Sequence, residues 1–257
     1  MSEEKRRVRL IVQYDGTGYE GWQRQLTGLG IQQVLEEELE KLTGEKVNVH
    51  ASGRTDSGVH ALAQVAHFDT ASRIPGEKFA YALNVGLPRD IRIAYSGDAP
   101  GFHARFDVLR KHYRYYVQHS PHMSPFTRNT ALHVYGELNV PLMNEAAGKI
   151  LGEHDFAAFK ATGVELESTV RTIYGSRWHE EGSLVIYDVC GSGFLYNMVR
   201  ILVGTMIEIG QGRRGVDAME RALASGNRTD AGPTAPPGGL FLARAEYKDF
   251  DTKEHIK

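Results

Sequence analysis

The sequence predicts an α+β fold of two lobes, each ferredoxin-like (RNP-like) with the order βαββαβ. Three observations predict it. Stretches with an apolar residue at every second position alternate with stretches of helical period in the order β-α-β-β-α-β over residues 8–96. The same order returns in the second half, as an order of elements without a repeat of sequence. Each half also places two strands in direct succession, which does not suit the strict βα alternation of a parallel sheet.

The elements follow in turn. Residues 8–14 (VRLIVQY) read as a strand. Residues 31–43 read as a helix, with Ile31, Val34, Leu35, Leu39 and Leu42 on one face and Gly44 as its stop. Strands are expected near 47–52 and 61–69, a helix from Pro75 to about Val85, and a strand over 91–96 (IRIAYS). Near 97–108 the stretch SGDAPGFHARFD (96–107) breaks the periodicity and marks the boundary, giving domains 1–104 and 105–257. Beyond it, 111–118 (KHYRYYVQ) alternates as a strand and 141–151 reads as a helix stopped at Gly152. Strands at 169–179 and 183–190 flank a Glu-Gly turn, a long apolar helix spans 195–209, and a short helix 216–224 precedes a last strand at 239–247. Residues 227–238 (NRTDAGPTAPPG) carry too much Pro and Gly for an element interior.

Bulk properties narrow the class. The chain has 257 residues, enough for a sizeable core in one large domain or two small ones, and 41% hydrophobic with 24% charged residues is ordinary for a globular protein. The opening MSEEKRRVRL is charged, without the apolar stretch of a signal peptide, and no run reaches membrane-spanning length. Cys190 is the single cysteine, which excludes an intrachain disulfide and suits a reducing cytoplasm. A net charge of −2 argues against nucleic-acid binding by bulk charge and leaves room for a local basic face.

Several patterns invite a chemical reading. Gly16-x-Gly18-x-x-Gly21 follows a strand as a dinucleotide fingerprint would, but Tyr19, Trp22 and Arg24 occupy the place where a helix should open, so it reads as a loop. The eleven histidines show no metal-binding spacing, so no metal site is expected. Ser57 and His60 lack the elbow of a serine nucleophile. Asp56 lies in GRTDSGVHA (53–61), a loop between two well-patterned strands, beside Arg54. A turn aspartate bonded to its own backbone is the plain reading, but polar residues on a loop held by a rigid sheet also suit catalysis. In FHARFDVLRKHYRYYV (102–117), Arg105, Arg110, Lys111 and Arg114 interleave with Phe106, Tyr113, Tyr115 and Tyr116. Tyr113 and Tyr115 share one strand face, Arg114 and Tyr116 the other. This composition fits a nucleic-acid surface and a half-buried strand equally. Arg200 sits on an otherwise apolar helix, where a guanidinium requires a partner or a route to solvent.

Taken together, these residues resemble the tRNA pseudouridine synthase A family. GRTDSGVHA looks like its active-site signature. YDGTGYEGWQRQ (14–25), FHARF (102–106), KHYRYY (111–116), FLYNMVRILVG (194–204) and APPGGL (235–240) carry the likeness across nearly the whole chain in the same order. Two positions depart from the pattern: Ser57 stands where alanine is expected, and His112 where another residue, often basic, precedes the tyrosine.

The resemblance implies an isomerase, an intramolecular transferase that turns uridine into pseudouridine at positions 38, 39 and 40 in the anticodon stem-loop of tRNA. It implies a cytoplasmic homodimer without cofactor or metal, its two lobes joined into one sheet with the active site in a central cleft, the pseudouridine synthase fold. Asp56 takes the role of nucleophile. Arg54 helps to expel the base, Tyr113 stacks on it, Leu240 packs on its other side, and Arg200 opposes the carboxylate charge. Arg24 and the basic residues of 105–114 meet phosphates.

The chemistry suits one carboxylate. The N1–C1′ bond must break, the uracil must turn, and C5 must bond to C1′. Uracil is a tolerable anionic leaving group and is never lost, so no second acid is required. The carboxylate can attack C1′, add to C6 of the ring, or take the C2′ proton, and the sequence leaves these three open. It must be ionised, and burial would raise its pKa from about 3.9. A non-catalytic protein that binds structured RNA, and a nicotinamide-dependent dehydrogenase using residues 16–21, are the readings from other classes.

Overall fold

The computed structural model describes residues 5–163 and 167–256. The chain divides into two compact units: the residues up to Leu109 together with those from Phe241 onward, and Arg110–Leu240. Both are mixed α+β.

The first unit contains β1 (Arg6–Tyr14), α1 (Ile31–Thr43), β2 (His50–Ala51), β3 (His60–Thr70), α2 (Phe79–Gly86) and β4 (Ile91–Asp98). β1 lies between β4 and β3 and is antiparallel to both. Leu10, Ile11 and Val12 are buried in succession, hence on both faces, which is why this part of the strand reads as continuously apolar. α1 buries Ile31, Leu35 and Leu39, spaced four apart on one stripe, and Gly44 ends it at φ 75°. α2 presents Phe79 to Phe68 of β3, ring centroids 5.2 Å apart. The opposite sheet face is covered by a second cluster that includes Ile11, Ala63, Val65 and Ala104. The strand expected over 47–52 shrinks to His50–Ala51.

The second unit holds β5 (Arg110–His119), β6 (Leu132–Val134), α3 (Val140–Gly148), β7 (Gly152–Asp155), β8 (Val170–Glu181), β9 (Leu184–Gly191), α4 (Met198–Gly210) and α5 (Ala218–Ser225). Its strands run β5-β9-β8-β7, antiparallel throughout, with the short β6 parallel to β5. α4 is nearly wholly buried, from Met198 to Gly210. Trp178 of β8 stacks on Tyr187 of β9 at 4.9 Å and donates its indole N–H to the Met206 sulfur of α4 at 3.3 Å. Asn144 of α3 bonds both the N–H and the C=O of Trp178, each at 2.9 Å, so a side-chain amide completes the strand's backbone pairing there.

The final strands, β10 (Leu240–Tyr247) and β11 (Phe250–Asp251), return to the first unit. β10 pairs in parallel with β3, Phe241 beside His60, and Ala245, Tyr247 and Phe250 complete the second cluster. Residues 105–109 also lie with the first unit, where the Leu109 N–H donates to the Glu246 carbonyl at 2.8 Å. The second unit therefore does not run continuously from 105 to the C-terminus as the periodicity suggested, because β10 finds its parallel neighbour in β3. β6, β7 and β11 are too short to show a period and were not expected from the sequence.

Candidate active site

Asp56 stands on the loop between β2 and β3, half-buried, between buried Thr55 and exposed Ser57. The loop is fastened at almost every step. The Ser52 hydroxyl donates to Gln64 Oε1, and Gln64 Nε2 donates to the Gly53 carbonyl, both at 2.7 Å. The Thr55 hydroxyl lies 2.8 Å from the Tyr14 hydroxyl, and the Thr55 carbonyl accepts from the Trp22 N–H at 3.1 Å. The Asp56 carbonyl accepts from the Val59 N–H at 3.1 Å, closing a tight turn whose third residue, Gly58, has φ 75°. The Gly58 N–H and the Ser57 hydroxyl both donate to the Tyr19 carbonyl. Burial raises the Tyr14 phenol well above its ordinary pKa, so it stays a neutral partner for Thr55.

The segment 15–30 provides this scaffold, which gives Gly16 and Gly21 a packing role. A Cβ on Gly21 would stand 2.4 Å from the Thr55 carbonyl oxygen, and one on Gly16 2.1 Å from that of Val59. Gly21 also has φ 82°. Only a single 3-10 turn at Gly16–Gly18, and no α-helix, lies between Gly16 and Ile31, so the spacing reflects close backbone approach.

In the second unit, Tyr113 is 8% exposed on β5 and meets the Phe194 ring edge-on, centroids 5.1 Å apart at 81°. Gly191 leaves room for that ring; a Cβ there would lie 3.1 Å from Phe194 Cζ. Arg200, in the first turn of α4, donates from Nε to the Ala235 carbonyl and from Nη1 to Asn197 Oδ1, both at 2.7 Å. Tyr115, fully buried, donates to the next carbonyl, Pro236, at 2.8 Å. Burial raises the Tyr115 phenol pKa, and the Arg200 charge offsets part of this. The Pro-rich loop lies directly on α4 and β5. A Cβ on Gly204 would stand 1.9 Å from the Pro233 carbonyl oxygen, and one on Gly239 2.7 Å from the Tyr115 ring. Leu240 follows, 5% exposed.

Residues 10–107 and 146–248 match the family described as tRNA pseudouridine synthase. The chain belongs to this family. The tRNA pseudouridine synthase A of Ruminiclostridium cellulolyticum is 49% identical over 244 residues, 94% of this chain and 100% of that protein. Those of Geotalea uraniireducens and Geobacter sulfurreducens are 46% and 44% identical over 243 residues, again 94% of this chain and all of theirs. A solved chain of the archaeal box H/ACA sRNP Nop10-Cbf5 complex aligns at 12% identity with a TM-score of 0.36, covering 95% of this chain and half of that one. As a tRNA pseudouridine synthase the chain is an isomerase.

The synthase thus carries Asp56 and Arg54 on one loop of the first unit, and Tyr113, Arg200 and Leu240 in the second. Arg54 is exposed. On β5, Tyr113 and Tyr115 share the buried face as alternation requires, while Arg114 on the other face pairs with Asp188 of β9 at 2.7 Å. Arg24 pairs with Glu36 at 3.1 Å. Two cations expected to meet phosphates therefore already have carboxylate partners. Arg105 and Arg110 are exposed, with no carboxylate in ion-pair range among the described residues, and Arg110 lies over the half-exposed Tyr174 ring at 4.6 Å.

No cluster of three or more His, Cys, Asp or Glu side chains suits a metal ion among the described residues. His50, His67 and His103 are neighbours, with the His67 ring 5.1 Å from His50 and 4.7 Å from His103. However, His67 Nδ1 accepts from the Ala104 N–H, and His103 Nδ1 from the Arg105 and Phe106 N–H groups. Burial, then the Arg7 charge, push the His67 pKa down to about 4. The Ser57 hydroxyl is bonded to Tyr19, and the fully buried His60 accepts from the Gly16 N–H through Nδ1 at 3.0 Å. Cys190 is a free thiol on β9, 3.5 Å from His112 Nε2 across the strand pair. Neither Asn197 nor the Tyr14–Thr55 pair is marked in the sequence. Their partners are distant in the chain or depend on a local φ, and neither leaves a periodic signal.

Proposed function

We propose that the synthase isomerises uridines in the anticodon stem-loop of tRNA, with Asp56 as the nucleophile. The observation that carries this reading is the anchoring of the Asp56 loop. The carbonyls of Thr55 and Asp56 are both bonded, and the glycine beside them admits no side chain. A carboxylate on such a support needs little reorganisation to meet a reacting carbon, and positioning of this kind contributes several kcal/mol to a rate.

In the proposed reaction a carboxylate oxygen of Asp56 attacks C1′ as the N1–C1′ bond breaks, and uracil leaves as an anion held in the site. After the ring turns, C5 attacks C1′ and the carboxylate departs with its electron pair. The C5 proton is then lost and N1 takes up a proton from solvent, with the Tyr113 hydroxyl as the proposed first acceptor of the C5 proton, passing its own proton on to solvent. The nucleoside supplies both leaving group and final nucleophile, so atoms and electrons balance without a cofactor. Addition of the same carboxylate to C6, or its removal of the C2′ proton, are the alternative first steps.

The target base must leave its stack at a cost of a few kcal/mol. Exposed Arg54, two residues before the nucleophile, takes the vacated place. Tyr113 offers its ring to the extruded uracil, Leu240 lies against the other side, and Arg200 brings positive charge to an anionic reaction. By the same family likeness the working enzyme is a cytoplasmic homodimer, which sedimentation equilibrium tests directly.

The deciding experiment follows tritium release from tRNA carrying 5-tritiated uridine. Wild type releases it, while Asp56→Ala and Asp56→Asn bind the tRNA and release none. Release by Asp56→Ala at the wild-type rate overturns the nucleophile. Pseudouridine mapped only outside the anticodon stem-loop overturns the substrate site.

A further inference from the structure

We propose that Asn197 is a positioning residue, which sets the Arg200 guanidinium in place for the isomerisation. The inference rests on the role of Arg200 in the reading above and adds a residue that this reading does not include.

Asn197 is the one non-glycine residue with positive φ among the described residues, at φ 60° and ψ 6°. That conformation costs a side-chain-bearing residue on the order of 1 kcal/mol, and asparagine tolerates it best. The position is also the N-cap of α4, where an asparagine would normally sit extended and accept from an N–H of the first turn. Here the side chain makes no capping bond. Its Oδ1 accepts from Arg200 Nη1 at 2.7 Å. The residue forgoes both an easy backbone and a cap, and its side chain holds the guanidinium instead. Glycine would satisfy the backbone but has no acceptor to offer.

The second fixed point comes from a distant segment. Arg200 Nε donates to the Ala235 carbonyl at 2.7 Å, and the Ala235 N–H returns a bond to the Arg200 carbonyl at 3.0 Å. Two nitrogens of one planar group, held by two acceptors on different segments, define the plane and rotation of the whole fork. Truncating Asn197 removes one of these two acceptors and with it the bond that fixes Nη1.

The test measures stability and tritium release for Asn197→Gly, Asn197→Asp, Arg200→Lys, Arg200→Met and the Asn197→Gly/Arg200→Lys double variant. Asn197→Gly melts within a few degrees of wild type, since glycine accepts the positive φ. Its kcat nevertheless falls about tenfold, with KM for tRNA within about twofold. Asn197→Asp keeps an acceptor at the same reach and recovers most of the rate. In the Arg200→Lys background the glycine substitution costs less than about twofold more, the non-additivity of a residue that acts through its partner. Wild-type kcat in Asn197→Gly, equal losses in both backgrounds, or an Asn197→Asp as slow as Asn197→Gly each overturn the proposal. Arg200→Met turning over like wild type removes Arg200 itself from the reaction, an outcome distinct from failure of the Asn197 assignment.

Discussion

The Tyr14 hydroxyl lies 2.8 Å from the hydroxyl of Thr55, and both side chains are buried, at 4% and 7% exposure. The pair ties the end of β1 to the residue preceding Asp56. Tyr14→Phe leaves the Thr55 hydroxyl without this partner in a dry setting, at a cost of about 1–2 kcal/mol. Urea unfolding should show that loss, and kcat should fall several-fold with KM unchanged as the loop loosens. An unaltered stability and kcat would show that the pair does not hold the loop.

Gly21 and Gly18 make a matched comparison. Gly21→Ala drives a Cβ toward the Thr55 carbonyl and forces alanine into φ 82°, whereas nothing lies within 4 Å of a Cβ on Gly18. The first substitution should lower stability by roughly 2–3 kcal/mol and kcat by more than about tenfold; the second should be nearly silent. Thermal melts and tritium release on both decide it, and equal behaviour would remove the packing account of this glycine spacing.

Arg110 and Arg114 are four residues apart on one strand, but their surroundings assign them different work. Arg110→Ala should raise KM for tRNA and reduce the salt dependence of binding by about one phosphate contact, leaving stability unchanged. Arg114→Ala removes the arginine partner of Asp188, leaving only His179 Nδ1 at 3.5 Å, and should act mainly on stability, by up to about 1 kcal/mol for a half-exposed pair. Binding titrations across a salt series, beside urea melts, check both. A salt slope unmoved by Arg110→Ala would take that side chain off the RNA surface.

His67 makes stability depend on pH. Its folded pKa is about 4, against about 6.5 in an unfolded chain. Between these values the unfolded state binds the extra proton, so stability rises with pH. The contribution is complete above about pH 6.5 and is lost as pH falls toward 4. The loss is at most about 3 kcal/mol. His67→Asn keeps an acceptor for the Ala104 N–H and cannot titrate, so its unfolding free energy should change less than that of wild type between pH 7 and 5. Parallel pH profiles for the two proteins would exclude the effect.

Much of the architecture is legible locally. α1 was readable because Ile31, Leu35 and Leu39 recur at helical spacing before a terminal glycine, and β5 because its tyrosines and arginines alternate. The loop of Asp56 stood out because polar residues gather there between two patterned strands. The short strands β6, β7 and β11 were not readable, since two to four residues define no period. Nor was the return of β10 to β3, because a parallel pairing between Phe241 and His60 joins segments that carry no mutual signal.

The sequence by itself determined the element order, the two βαββαβ-like halves and the family likeness that points to Asp56, because short-range periodicity and contiguous motifs are written in neighbouring residues. Only the tertiary structure decided which glycines are compelled by another backbone, which arginines are already neutralised, and that Asn197 holds Arg200 from a left-handed turn. Those outcomes depend on distances between residues far apart in the chain and on dihedral angles, and both are fixed only when the packed elements bring their backbones together.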